Sequence, residues 1–163
     1  MSKVKVILQP TDFSEPAAQA RAAACEIARE QKARLVVLHV TAKPVVSYIE
    51  KTSDLPPEKL QQKLWETLRA PRECEAGVDV QHRVEEGSPV QQIVRVAKEI
   101  QADLIVLGAH GPRGPLKWFT SNVTDHIVRE SPCSVLIVKD PPAEASPESE
   151  PARAKSVVAE KSS

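Results

Sequence analysis

The apolar positions of this chain fall into short runs separated by stretches of helical spacing. Val4 to Leu8 is a β-branched run ending at Pro10, which predicts a buried first strand. Ser14 offers a helix N-cap, with Pro16 in the first turn, where its missing N–H does no harm. An alanine-rich helix is predicted from there to about Lys32. Leu35 to Val40 is a second apolar run without in/out alternation, as expected of a strand covered on both faces in a parallel sheet. Residues 41–56 carry Pro44 and Pro56 and read as a long connection. From Glu58 to about Ala70, the residues Leu60, Leu64, Trp65 and Leu68 form one stripe of a helix that Pro71 stops. Val78 to Val84 alternates, as an edge strand does.

Ser88-Pro89-Val90-Gln91 reads as a helix start, with serine as cap, proline at the first helical position and Gln91 completing a capping box. Val90, Ile93, Val94, Ala97 and Ile100 continue it at helical spacing. Leu104 to Gly108 is a fourth strand, running into the glycine-rich segment Gly108-Ala109-His110-Gly111-Pro112-Arg113-Gly114. Ser121 or Asn122 is predicted to cap a last helix through Arg129, and Ser134 to Val138 is the fifth strand. The order β-α-β-α-β-α-β-α-β predicts a Rossmann-like, doubly wound α/β fold with helices on both faces of a five-stranded parallel sheet. The expected strand order is 3-2-1-4-5. Residues 1–140 form that domain. From Pro141 the prolines, alternating charges and lack of aromatics predict a disordered tail over residues 141–163.

Composition narrows the partners. The chain has 163 residues, enough for one domain that needs no disulfide or metal staple. Its 22 basic and 22 acidic residues cancel, and aromatics make up only 3%. Neither an electrostatic footprint for nucleic acid or a membrane nor a base-stacking platform is expected. Cys25, Cys74 and Cys133 show no metal-ligand spacing and fit reduced thiols in a cytoplasmic protein. The first apolar run is too short for a signal sequence or a membrane span.

In open parallel sheets, ligands sit beyond the carboxyl ends of the strands where the strand order reverses. Two segments converge on that place: Asp12, just after the first strand, and the glycines from Gly108, just after the fourth. Glycine lets backbone N–H groups approach oxyanions closely, and a helix start at Ser121-Asn122-Val123 adds free N–H groups and a favourable dipole. This chemistry suits a phosphorylated ligand. Asp12 is placed to accept hydrogen bonds from ribose hydroxyls, and Pro10 and Val40, at the strand ends, are placed to flank a base. Asp12 also reads as an Asx-turn former and Gly114 as a tight-turn residue. His110 has no carboxylate or second histidine to orient it, so no catalytic residue is assigned. His39 reads as a satisfied strand histidine, and Trp118-Phe119 as loop packing.

The chain resembles the universal stress protein family. Gln9-Pro10-Thr11-Asp12-Phe13-Ser14 is similar to its opening motif, Leu107 to Gly114 to its glycine loop, and Ser131-Pro132-Cys133-Ser134-Val135-Leu136-Ile137-Val138 to its closing segment. The resemblance covers residues 3–139. It implies a stress-response or signalling protein that binds ATP, with or without Mg2+. It also implies a homodimer paired through Val135, Leu136, Ile137 and Val138. ATP-binding members carry G-x-x-G, nine residues, then glycine and a hydroxyl residue. Here Gly108 and Gly111 match, while the final pair is Ser121-Asn122 and Pro112 and Pro115 interrupt the loop. The implied nucleotide residues are therefore Pro10, Asp12, Val40, Gly108, Gly111, Ser121, Asn122 and Val123. The same departures support an alternative, a nucleotide-free dimeric interaction protein with a degenerate phosphate loop. Enzymatic activity is left open and extends at most to slow ATP hydrolysis, since no Walker lysine follows the glycines.

Overall fold

The computed structural model describes residues 3–41, 56–109 and 121–139. The expected tail, the connection over residues 42–55 and most of the glycine-rich segment, including Gly111, lie outside the described residues. Five strands form one parallel sheet: β1 (Val6–Pro10), β2 (Arg34–Thr41), β3 (Asp79–Glu86), β4 (Leu104–Gly108) and β5 (Ser134–Val138), in the order β3-β2-β1-β4-β5. Among the described residues the helices are α1 (Glu15–Gln31), α2 (Pro57–Arg69), α3 (Pro89–Glu99) and α4 (Ser121–Glu130), with a 3-10 turn at Glu73–Glu75. The predicted order and direction of the strands are those observed.

The apolar runs explain the layering. Successive strand side chains point to opposite faces, so an unbroken apolar strand needs cover on both. Leu8, Val36, Leu38, Ile105 and Leu107 face a core closed by Ile93, Val96 and Ala97 of α3 and Ile127 of α4. Ile7, Leu35, Val37 and Val106 face the other way, against Ala20, Ala24, Cys25 and Ala28 of α1 and Leu68 of α2. The alanines bring α1 close to the sheet. The two halves of the sheet are tied where β1 meets β4: the Asp103 carboxylate accepts the backbone N–H groups of Lys5 and Val6 at 2.8 and 3.0 Å.

Helix ends follow local chemistry, with two corrections. Ser14 caps α1, its hydroxyl accepting the Ala17 N–H at 3.3 Å. Pro71 ends α2 as expected, since it biases Ala70 to extended backbone (φ −52°, ψ 127°). Ser88 occupies the N-cap of α3, but the predicted capping box does not form, and its side chain makes no cap hydrogen bond. Ser88 is exposed, so water serves the first-turn N–H groups there, and Pro89 removes one of them. Helix α4 already includes Ser121, so Ser121 and Asn122 are its first helical residues rather than its caps.

The sheet has two unlike edges. Outer strand β3 carries Arg83 and Glu85, which join Arg95 and Glu99 of α3 in a ring of ion pairs between 2.5 and 3.0 Å. At the other edge, Leu136 and Ile137 of β5 are 38% and 37% exposed, and Val128 of α4 is 49% exposed.

Candidate functional site

The crevice predicted from strand order lies beyond the carboxyl ends of β1 and β4, which are hydrogen-bonded neighbours. Helices α1 and α4 both return antiparallel to the strands, so their amino ends sit at this end of the sheet.

The turn from β1 into α1 is held by its own polar side chains. Thr11 donates its N–H to the Leu38 carbonyl at 2.8 Å, extending the contact with β2 one residue past the ladder. Its hydroxyl accepts the Phe13 N–H at 3.1 Å. Asp12 Oδ1 accepts the Ser14 N–H at 3.0 Å and also meets the Ser14 hydroxyl. The aspartate is thus an Asx-turn former, as one reading of the sequence allows. It is half-buried, and among the described residues no hydrogen bond uses its Oδ2, which leaves one oxygen for a ligand hydroxyl. This turn holds Phe13 at φ 63°, an uncommon conformation for a bulky side chain.

His39 braces the wall on the β2 side. Its Nδ1 lies 2.8 Å from the Thr11 carbonyl, so Nδ1 carries the proton, and its ring packs on Phe13 with centroids 4.6 Å apart. Burial pushes the imidazole pKa below its ordinary value, against the opposing pull of the Thr11 carbonyl and the Asp12 charge. The apolar run Leu35 to Val40 placed His39 in a strand but gave no signal that it would brace the site turn.

Val40 and Pro10 are both buried, Val40 within the core beneath α3 and α4. What Val40 offers the crevice is backbone. Leu38 turns its carbonyl toward β1, alternate residues of a strand share a side, and the β1 ladder ends at the pair Pro10–Leu38. The N–H and C=O of Val40 therefore face the crevice side just past that end.

Gly108 ends β4, opposite Val138. A Cβ built on it would lie 2.3 Å from the carbonyl oxygen of Pro16 and 2.4 Å from its carbonyl carbon. The missing side chain thus lets the first turn of α1 pass over the end of β4, a packing reason for glycine that is independent of any ligand. Beyond Ala109, whose N–H donates to the Val138 carbonyl at 2.7 Å, the segment through residue 120 lies outside the described residues. Description resumes at α4, whose first described residues are Ser121, Asn122 and Val123. The topology therefore places Asp12, Val40, Gly108 and the start of α4 at the same, carboxyl end of the strands, while Gly111 lies outside the described residues.

Comparison with known proteins agrees with this architecture. The model of the universal stress protein family matches residues 3–139. A universal stress protein of Methanocaldococcus jannaschii is 32% identical over 144 residues, covering 86% of this chain and 85% of its own length. Among solved structures, a universal stress protein in complex with cAMP superposes with a TM-score of 0.59 at 23% identity, covering 85% of this chain and 98% of its own. The universal stress protein of Archaeoglobus fulgidus in complex with dAMP gives a TM-score of 0.57 at 20% identity, covering 85% of this chain and all of its own (100%). With the family model, the relatives, the sequence motifs and the strand order in agreement, the chain belongs to the universal stress protein family.

Proposed function

We propose that this protein binds an adenine nucleotide, ATP first among them, in the crevice between the carboxyl ends of β1 and β4, and acts in stress response or signalling in the cytoplasm. The observation that carries this reading is that Asp12, with a carboxylate oxygen that no hydrogen bond among the described residues uses, the backbone edge of Val40 and the amino end of α4 all lie at this end of the sheet. A carboxylate suits ribose hydroxyls, a strand edge suits a base, and a helix amino end suits phosphate. Two family members of the same fold are seen with cAMP and with dAMP, which supports the ligand class. Gly108, Gly111, Ser121, Asn122 and Val123 would hold the phosphates, and Mg2+ would arrive with them. Equilibrium dialysis against labelled ATP, AMP and cAMP tests this: saturable binding is expected, and no binding at millimolar nucleotide would overturn it.

A second reading is favoured by the β5 edge. Leu136 and Ile137 are half-exposed on a strand whose outer edge has no partner among the described residues and which carries no charge from Ser134 to Val138, unlike the ion-paired β3. An apolar open edge invites pairing with another strand. We infer a homodimer through β5, present with or without nucleotide. Sedimentation of wild type and Ile137→Lys distinguishes the cases. A dimer lost in the variant supports the inference, and a wild-type monomer at every concentration removes it.

A further inference from the structure

We propose a second anion site at the opposite end of the sheet, built to take a small polyanion with a pyrophosphate-like group. A cavity of about 490 Å3 opens there between the carboxyl end of α1, the approach to β3 and the amino ends of β1 and β2. That volume lies within the usual range for small-molecule sites. Four cations line it, Lys5, Arg29, Lys32 and Arg34, against one carboxylate, Asp79. Arg29 and Lys32 alone would be ordinary, because cations complement a helix carboxyl end. Arg29 is also committed, donating to the Cys74 and Ala76 carbonyls at 2.8 and 3.3 Å and so fixing the rim.

Lys5 and Arg34 have no such account. They stand at the starts of neighbouring strands, with the Arg34 N–H donating to the Lys5 carbonyl at 2.9 Å. Arg34 lies directly opposite Asp79 in the ladder, yet the two make no ion pair. Its Nε is buried with no hydrogen-bond partner among the described residues. A buried guanidinium nitrogen left unpaired is unfavourable unless an acceptor arrives. Lys5 and Lys32 likewise form no ion pair among the described residues. Three uncommitted cations around one cavity, one of them already desolvated at Nε, form a receptor for a ligand with at least two negative charges. Arginine favours phosphate oxygens, to which it can donate two parallel hydrogen bonds.

The test is an amide chemical-shift titration of the full chain with sodium pyrophosphate, holding ionic strength constant with sodium chloride. Saturable shifts are expected at Ala33, Gly77, Val78 and Asp79. The variant combining Lys32→Gln and Arg34→Gln should weaken them by about tenfold or more, while Lys98→Gln on the far surface should not. Should loss of Arg34 unfold the protein, Lys5→Gln with Lys32→Gln asks the same question without touching a buried group. Shifts confined to Asp12, Gly108, Ala109 and Val123 would place pyrophosphate in the nucleotide crevice alone and overturn the proposal. So would unsaturable shifts spread over all exposed lysines. Because the two sets of amides lie at opposite ends of the sheet, the second site and the nucleotide reading succeed or fail separately.

Discussion

The α-carbon of Gly108 and the carbonyl of Pro16 lie so close that no side chain fits between them. The last residue of β4 and the first turn of α1 are therefore one contact. Gly108→Ala must push backbone against backbone, which no rotamer change relieves. Overpacking of this kind costs about 1–3 kcal/mol. Urea unfolding should show a lower midpoint with an unchanged slope, and nucleotide affinity should fall with it. An unchanged midpoint would mean that α1 moves freely over the sheet.

Asp12 has two separable duties. Asp12→Asn keeps an oxygen for the Ser14 N–H and removes the charge, so stability should stay near wild type while nucleotide affinity drops. Ser14→Ala removes the cap on Ala17 and should cost about 1 kcal/mol with little effect on affinity. Thermal melts paired with dialysis resolve the two. If Asp12→Asn binds nucleotide as well as wild type does, the carboxylate is only a turn former.

Arg21 is 1% exposed in the middle of α1, paired with Glu75 and hydrogen-bonded to the Leu68 carbonyl at 3.3 Å. Only Nη2 is engaged; Nε and Nη1 are buried without partners. Burial, the largest influence, pulls the Arg21 pKa down, and Glu75 opposes it. Arg21→Met should strand the Glu75 charge and cost about 3 kcal/mol, while the double change with Glu75→Leu should recover most of the loss. A double-mutant cycle by chemical denaturation measures the coupling. No recovery in the double variant would show that Arg21 acts through packing alone.

His82 accepts from Arg21 at 2.9 Å, which keeps its Nε2 unprotonated. Burial holds its pKa below the ordinary 6.5. The charges of Arg21, Arg69 and Arg72 push the same way, and only Glu75, 3.9 Å from Nε2, opposes. As pH falls through 6.5 the unfolded chain takes up a proton that the folded chain refuses. The stability tied to His82 is complete above 6.5 and is lost below it. Half-buried His39 shifts in the same direction. The unfolding midpoint should therefore fall between about pH 7.5 and 5.5, and less so in His82→Gln, which keeps an acceptor for Arg21. An identical fall in the variant would clear His82 of the effect.

Much of this architecture was legible in the pattern of residues. Leu35 to Leu38 and Ile105 to Leu107 are apolar on both faces, which only a doubly covered parallel strand explains, and the reversal between β1 and β4 follows from where helices intervene. What stayed hidden is long-range and polar. Arg21, Leu68, Glu75 and His82 meet across separations of up to 61 residues, and nothing in the spacing of a helical arginine announces a buried partner. Gly108 looked like a phosphate glycine when its nearest constraint is Pro16. The Ser88 capping box failed because an exposed cap has water as a competitor.

The bond from Asp103 to the amides of Lys5 and Val6 spans up to 98 residues. During synthesis, β1, α1, β2 and β3 emerge first, and β1 then has a partner on one side only. Its other edge stays open until β4 leaves the ribosome about a hundred residues later, at the rates typical of translation after roughly 5–20 seconds. The crevice is made of that same seam, so it does not exist in any half-made chain. A nucleotide bound at the proposed site would bind only the closed sheet and so act as a clamp across the joint between β1 and β4.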